Sequence, residues 1–224
     1  MNLLDIIFPK RCVACGRFGS YLCEEDKKKI QPAKSFCPVC LSAAIGGTVH
    51  TKCRTKLSLD GLVCIFEYIT PIKEVIAELK YRFVRDLEGI VGEELRRVKL
   101  FDRYDFASFS LVPIPLSAGR KNWRGFNQTE VLGRLIAQRL KTPFDSQVLT
   151  KLKETKPQVR LPRKERIRQI AGAFGVVSHE KIGGKNFLIF DDVWTTGATM
   201  KAAASTLKRK GAKKVWGIAF ASSH

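Results

Sequence analysis

The residues best suited to chemistry lie between Phe187 and Met200, in the stretch FLIFDDVWTTGATM. Two adjacent carboxylates, Asp191 and Asp192, follow four apolar residues, Phe187, Leu188, Ile189 and Phe190. Thr195, Thr196, Gly197, Ala198 and Thr199 come next, ahead of a helix-forming run from Met200 to Lys210. A short continuous apolar run is the pattern of a strand buried on both faces of a parallel sheet. A helix start leaves backbone N–H groups unpaired and carries partial positive charge, so it suits a phosphate. Gly197 lets the backbone close around an anion with no side chain in the way, and the threonine hydroxyls add donors. Carboxylates at a strand end accept hydrogen bonds from vicinal ribose hydroxyls and reach Mg²⁺ through water. A lone acidic pair or a lone TTG reads as an ordinary turn or helix cap; the whole run, in this order, reads as a phosphosugar site.

The order of four apolar residues, two acids, two apolar residues and T-T-G-x-T resembles the phosphoribosyl pyrophosphate (PRPP) motif of type I phosphoribosyltransferases. Trp194 stands where a smaller aliphatic is usual. The resemblance implies that Asp191 and Asp192 are the catalytic pair on the ribose hydroxyls. It implies that Thr195 to Thr199 hold the 5′-phosphate, with Mg²⁺ arriving with PRPP.

A second concentration of chemistry is cysteine. Six of the seven cysteines fall within the first 53 residues. With no secretion signal beside them, such clustering argues for metal and against disulfides. Cys12 with Cys15 and Cys37 with Cys40 are C-x-x-C pairs, the spacing that brings two thiolates to a tetrahedral zinc. Cys23 with Asp26 and His50 with Cys53 repeat that spacing with one ligand type changed. Read in sequence, one zinc takes Cys12, Cys15, Cys23 and Asp26, and a second takes Cys37, Cys40, His50 and Cys53. Read otherwise, the two C-x-x-C pairs share one zinc. Spacing leaves both open. Residues 1–58, poor in large aliphatics, are expected to need metal to fold; Cys64 is expected in the core.

From residue 59 to 224 the composition is that of an α/β domain. Strands are expected at Gly61 to Ile69, Ser110 to Pro115, Phe174 to Val177, Phe187 to Phe190 and Lys214 to Ala221. Helices are expected from Pro71 to about Arg82, Arg85 to Val98, Thr129 to Leu140 and Met200 to Lys210. The alternation predicts a mostly parallel sheet with helices on both faces. Lys80, Tyr81 and Arg82 could touch a ligand, but read by default as the exposed, mostly basic end of a helix. Arg120, Lys121 and Arg124 follow a strand, at the rim where open α/β sheets bind ligands, and suit a pyrophosphate. Residues Thr150 to Arg168 are polar, basic and interrupted by prolines. They read either as a lid, with Arg163 and Arg166 contributing, or as a nucleic-acid contact surface. His179 reads as a surface turn residue.

A wider resemblance covers essentially the whole chain. Val112-Pro113-Ile114-Pro115, Arg120, Arg124-Gly125-Phe126-Asn127-Gln128, Thr155 with Gln158, Arg163 with Arg166, and Ala173-Phe174 together resemble the ComF family of competence-associated phosphoribosyltransferase-like proteins. The opening LLDIIFP and an N-terminal finger of four cysteine pairs belong to the same likeness. Two of those pairs are altered here, by Asp26 and His50, and Gln169 stands near where the family often has Asn. The likeness implies a type I phosphoribosyltransferase fold with a small zinc finger. It implies a PRPP-binding protein of DNA uptake or processing during natural competence, with single-stranded DNA and a competence helicase or other DNA-uptake protein as partners.

Net charge is +19, from 40 Lys and Arg against 21 Asp and Glu. That excess points to polyanions or a highly phosphorylated small molecule. No apolar run is long enough to span a bilayer, and MNLLDIIFPK carries an acid and no basic n-region, so a cytoplasmic protein without membrane insertion is expected. Three activities stay in view: an Mg²⁺-dependent phosphoribosyltransferase, a non-catalytic single-strand-binding or regulatory protein on the same fold, and an amidophosphoribosyltransferase-like or nucleobase enzyme.

Overall fold

The computed structural model describes residues 9–81, 85–117, 119, 126–152, 172–177 and 182–224. Its centre is a four-stranded sheet in the order β1 (Gly61–Glu67), β6 (Lys214–Ser222), β5 (Asn186–Trp194), β2 (Phe109–Pro113). All three pairings are parallel, with Leu188 beside both Leu111 and Trp216. A two-stranded antiparallel ribbon, β3 (Leu149–Lys151) with β4 (Phe174–Val176), stands apart from it. The expected mostly parallel α/β sheet is therefore the one formed.

β5 lies between two strands, and after Asn186 its first half is apolar because both of its faces are covered. Phe187, Leu188, Ile189 and Phe190 are all at most 2% exposed. Removing such side chains from water is worth about 1.5–3 kcal/mol each. Strand alternation sends Leu188 and Phe190 to one core and Phe187 and Ile189 to the other.

After a one-turn helix in the cysteine-rich segment, α1 (Glu24–Lys27), the first core is roofed by α2 (Ile72–Tyr81), α3 (Arg85–Arg97) and α4 (Gln128–Leu140). Their buried stripes recur at helical spacing: Ile72, Val75, Ile76 and Leu79; Leu87, Val91 and Leu95; Leu132 and Ile136. The second core lies under α5 (Ala198–Arg209), which contributes Met200, Ala203, Ala204 and Leu207. Small residues there allow close approach to β6, whose Gly217 leaves no room for a Cβ beside the Met200 sulfur. Gly211, in the left-handed region at φ 89°, follows the helix end.

Residues 9–58 wrap the β1 edge of the sheet. Pro32 bridges Phe66 antiparallel, the Ala33 N–H donates to the Ile65 carbonyl at 3.1 Å, and the Glu67 N–H donates to the Gln31 carbonyl at 2.9 Å. An edge strand that would otherwise offer unpaired backbone groups is thus capped. The chain on either side of this crossing serves different cores. Cys12 and Leu22 join the first, and Phe36 joins the second. Cys64 on β1 is buried as expected, and burial pushes its thiol up to about 12.

Candidate functional site

The acids of β5 lie just past the end of its pairing with β2, and three residues after Trp194 the chain enters α5. Gly197 caps that helix in the left-handed conformation, φ 68° and ψ 8°. A Cβ on Gly197 would drive into the Trp194 ring. Trp194, 1% exposed, thus fills the space beneath the turn, which gives the bulky residue at that position a packing role. Its indole N–H is buried with no hydrogen-bond partner among the described residues. The Ala198 N–H points at the Thr196 hydroxyl at 3.4 Å, and the Lys201 N–H closes the first helical turn on the Gly197 carbonyl at 2.9 Å. Lys201 also lies 5.4 Å from the Trp194 ring and donates to the Thr196 carbonyl at 3.5 Å. From behind, the His224 Nε2–H donates to the Thr195 carbonyl at 2.7 Å. Phe36 packs edge-on to His224 and tilted against Trp194, with ring centroids 5.6 and 6.1 Å away. The turn Thr195 to Thr199 is therefore held from the helix side, the sheet side and the cysteine-rich segment.

The two acids have different surroundings. Asp192 is 8% exposed. Its Oδ2 receives Lys80 Nζ from the end of α2 at 2.8 Å and Gln128 Nε2 from the start of α4 at 3.1 Å. Asp191, the neighbouring strand residue, leaves β5 on the opposite face, and its Oδ1 accepts the Asp192 N–H at 2.9 Å. Burial, and then the Asp192 charge, raise the Asp191 carboxyl to about 7, against the pull of the Asp192 N–H, Lys80 and Lys151. At Lys80 burial opposes the charge, but the Asp192 and Asp191 carboxylates outweigh it and raise the ammonium above its ordinary value.

Lys80 is thus not the exposed helix-end residue that the sequence suggests. It lies four residues beyond Ile76, on the flank of the buried stripe of α2, and that register could have marked it. Gln128 was legible only as part of a motif. Its placement follows from the residues beside it. Asn127 caps α4 by accepting the Thr129 N–H at 3.2 Å, and its amide donates to the Ile114 carbonyl at 3.2 Å. The Thr129 hydroxyl donates to the same carbonyl at 2.7 Å. The N-terminus of α4 is thereby fastened to the end of β2, and its first residue meets β5. Arg120, Lys121, Arg124, Arg163, Arg166 and His179 lie outside the described residues.

The cysteine-rich segment is built twice from one turn. At Cys12 and at Cys37 the cysteine N–H donates to the carbonyl five residues on (Arg17, Ser42), each at 2.8 Å. The residue four on (Gly16, Leu41) returns its N–H to the cysteine carbonyl at 2.8 and 2.9 Å. Gly16 and Leu41 both take positive φ, 76° and 66°, to allow it. Each turn meets the next x-x pair in sequence. Cys12, Cys15, Cys23 and Asp26 form one group and Cys37, Cys40, His50 and Cys53 another, with ligand atoms in each within 4.8 Å of one another. Of the two pairings that spacing leaves open, the structure assembles the sequential one.

Both groups fit zinc. Tetrahedral Zn–S bonds of about 2.3 Å put sulfurs about 3.8 Å apart, and Cys15 and Cys23 Sγ are 3.8 Å apart. Cys40 Sγ is 3.4 Å from His50 Nδ1, while His50 Nε2–H donates to the Ala43 carbonyl at 3.1 Å. That outer hydrogen bond fixes which nitrogen faces the sulfurs. Asp26, 1% exposed, turns Oδ2 to Cys12 and Cys23 at 3.2 and 3.3 Å. Lys29 holds its Oδ1 at 2.6 Å and keeps the carboxyl well below its ordinary range.

No protein-family model matches the chain. Competence protein ComFC of Bacillus subtilis is 30% identical over 203 residues, covering 85% of this chain and 78% of that protein. The chain belongs to the ComF family. Competence protein F of Haemophilus influenzae is 28% identical over 95% of this chain and 97% of its own. DNA utilization protein YhgH of Salmonella typhimurium is 29% identical over 87% of each. Among solved structures, the glutamine PRPP amidotransferase from B. subtilis superposes with a TM-score of 0.40 at 16% identity, over 63% of this chain and 30% of that one. A hypoxanthine phosphoribosyltransferase from Staphylococcus aureus gives 0.36 at 15%, over 59% and 62%. No helix among the described residues is long and apolar enough to cross a membrane.

Three outcomes are expected of this ComF-family chain. Gly197→Ala meets the indole and a left-handed backbone at once, so a loss of about 2 kcal/mol or more is expected in denaturant unfolding; an unchanged midpoint would contradict the packing. For Asp191 the native pKa is raised above that of the unfolded chain. The native state therefore holds the extra proton between about pH 4 and 7, and ligand-free stability falls as pH rises through that window. Asp191→Asn removes this slope and is expected to raise the pH 8 melting temperature by about 2–4 °C or more. Metal analysis is expected to find two zinc ions per chain, one lost in Asp26→Ala and the other in His50→Ala; loss of both together in either variant would point to a shared site.

Proposed function

We propose that this chain binds PRPP, with Mg²⁺, and acts as a phosphoribosyltransferase-like protein in DNA uptake or processing. The observation that carries the reading is the pairing of Asp191 and Asp192 at the end of β5 with a left-handed glycine opening α5 directly beyond them. The first three N–H groups of a helix and a carboxylate pair one turn away suit the two ends of a ribose 5-phosphate. Membership of the ComF family, and the names competence protein and DNA utilization protein carried by the relatives, support the biological setting.

In this reading Thr195, Thr196, Gly197, Ala198 and Thr199 seat the 5′-phosphate, and Asp191 and Asp192 accept from the ribose hydroxyls. Arg120, Lys121 and Arg124 bind the pyrophosphate, and Arg163 and Arg166 help close the site. Displacement at ribose C1 passes through an oxocarbenium-like state, so positioning and charge stabilisation carry the catalysis. Bound with PRPP, Mg²⁺ supplies neutralisation of the departing pyrophosphate's charge. The acidic pair at the rim suits that ion through water. The two cysteine-rich groups each hold a structural zinc, so that residues 1–58 form a zinc-binding domain ahead of a phosphoribosyltransferase-like domain, 59–224.

A second reading adds single-stranded DNA. Between Lys27 and Leu59 there are seven Lys and Arg and no Asp or Glu. So one-sided a segment, in a chain of net charge +19, supports contact with a polyanion, DNA and a DNA-uptake partner included. The two readings are compatible, and with both goes the proposal of a cytoplasmic protein.

Calorimetry with PRPP and Mg²⁺ tests the first reading. Binding is expected for the wild type and a loss of tenfold or more for Asp192→Asn, about one charge-assisted hydrogen bond; indistinguishable heats would discard the site. For the second, affinity for a single-stranded oligonucleotide is expected to fall steeply and linearly in log–log form as salt rises. A flat salt response is incompatible with phosphate neutralisation.

A further inference from the structure

Asp192 is held by one of its two oxygens. Lys80 Nζ and Gln128 Nε2 approach from different helices, α2 and α4, and converge on Oδ2 at 2.8 and 3.1 Å. Oδ1 accepts no hydrogen bond among the described residues, and it is not one of the fully buried polar atoms left without a partner. One oxygen takes both donors, and the other takes none from the described residues.

Stability alone does not account for this arrangement. The Lys80 side chain is 23% exposed and that of Asp192 11%, so both groups have given up most of their water. Partly buried ion pairs of this kind roughly break even against apolar residues of the same size. A carboxylate that only needed neutralising would be served by the ammonium. The second donor, from Gln128, adds no charge; it fixes the plane of the carboxylate. The cap that fastens the α4 N-terminus to the Ile114 carbonyl fixes the position of that donor in turn. Two helices from separate crossovers are thus brought to a single atom.

Resting on the reading of this rim as a ribose phosphate site, we propose that Lys80 and Gln128 are positioning residues that pin Asp192 Oδ2 and so aim Oδ1 at a ribose hydroxyl. They act through Asp192 and touch neither the sugar nor its phosphate. An acceptor fixed in this way favours a hydroxyl-bearing sugar phosphate over a ligand that offers only the phosphate. A ligand without that hydroxyl leaves the aimed oxygen unpaired.

The test titrates the full chain with two probes, ribose 5-phosphate and inorganic phosphate, without Mg²⁺. Lys80→Met is expected to weaken ribose 5-phosphate tenfold or more and to leave inorganic phosphate unchanged. Lys80→Arg, which keeps a cation in reach, is expected to recover most of the loss. In an Asp192→Asn background Lys80→Met is expected to cost nothing further, because the interaction it supports is already gone. Gln128→Leu gives the same pattern at smaller size and serves if Lys80→Met melts early. Equal weakening of both probes, or losses that multiply in the double variant, would overturn the inference in favour of direct contact or simple folding. A wild type that binds ribose 5-phosphate with Lys80→Met unaffected overturns this inference alone. A wild type that binds neither probe overturns the sugar phosphate reading and this inference with it.

Discussion

Two carboxylates side by side at the end of a buried strand repel each other, and the fold has to offset that repulsion from outside the strand. β5 is held in place by apolar burial on both faces up to Phe190, and the charge arrives only where its pairing with β2 ends, while the ladder to β6 runs on to Trp194. Beyond that point the acids depend on other elements. Lys80 and Gln128 reach Asp192 from the roof of the first core, while Asp191 carries the residual cost as a carboxyl raised to about 7. Sites that do chemistry commonly keep such unrelieved charge, because relieving it would consume the groups a ligand needs.

The cysteine-rich segment belongs to the same mechanical system. It covers the β1 edge, sends Cys12 and Leu22 to one core, and sends Phe36 to the other. Phe36 immediately precedes Cys37 and packs on Trp194, the ring that supports Gly197. Two side chains, Phe36 and Trp194, thus lie between Cys37 and the turn at α5, and their packed contact transmits displacement because interiors are dense. The cysteine-rich segment is in this sense part of the wall behind the turn Thr195 to Thr199.

What could be read from the sequence was whatever lay contiguous in it. The β5 run, its acids, the glycine turn and α5 are local, and their order alone specified strand, rim and helix. The expected strand and helix spans lie within a few residues of those observed because apolar periodicity is itself local, but β5 runs four residues past Phe190 through the acids and β3, in a stretch read as loop, had no counterpart. The Lys80–Asp192–Gln128 arrangement was not legible, since Gln128 and Asp192 are 64 residues apart and meet only through the sheet order β1-β6-β5-β2. The cysteines show the boundary between the two cases. Ligand types and spacing marked eight candidate residues, but the choice between sequential and shared pairing depended on how the repeated turn at Cys12 and Cys37 packs. Asp26 was placed by burial and by Lys29, neither of which spacing encodes.

In the function proposed, the mouth of α5 receives a phosphate while the neighbouring acids receive its sugar. An amide chemical-shift titration of the isotopically labelled chain with ribose 5-phosphate tests this. The largest saturable shifts are expected at the backbone amides of Gly197, Ala198 and Thr199, with smaller ones at Asp191 and Asp192. Saturable binding that leaves those five amides unmoved would contradict it.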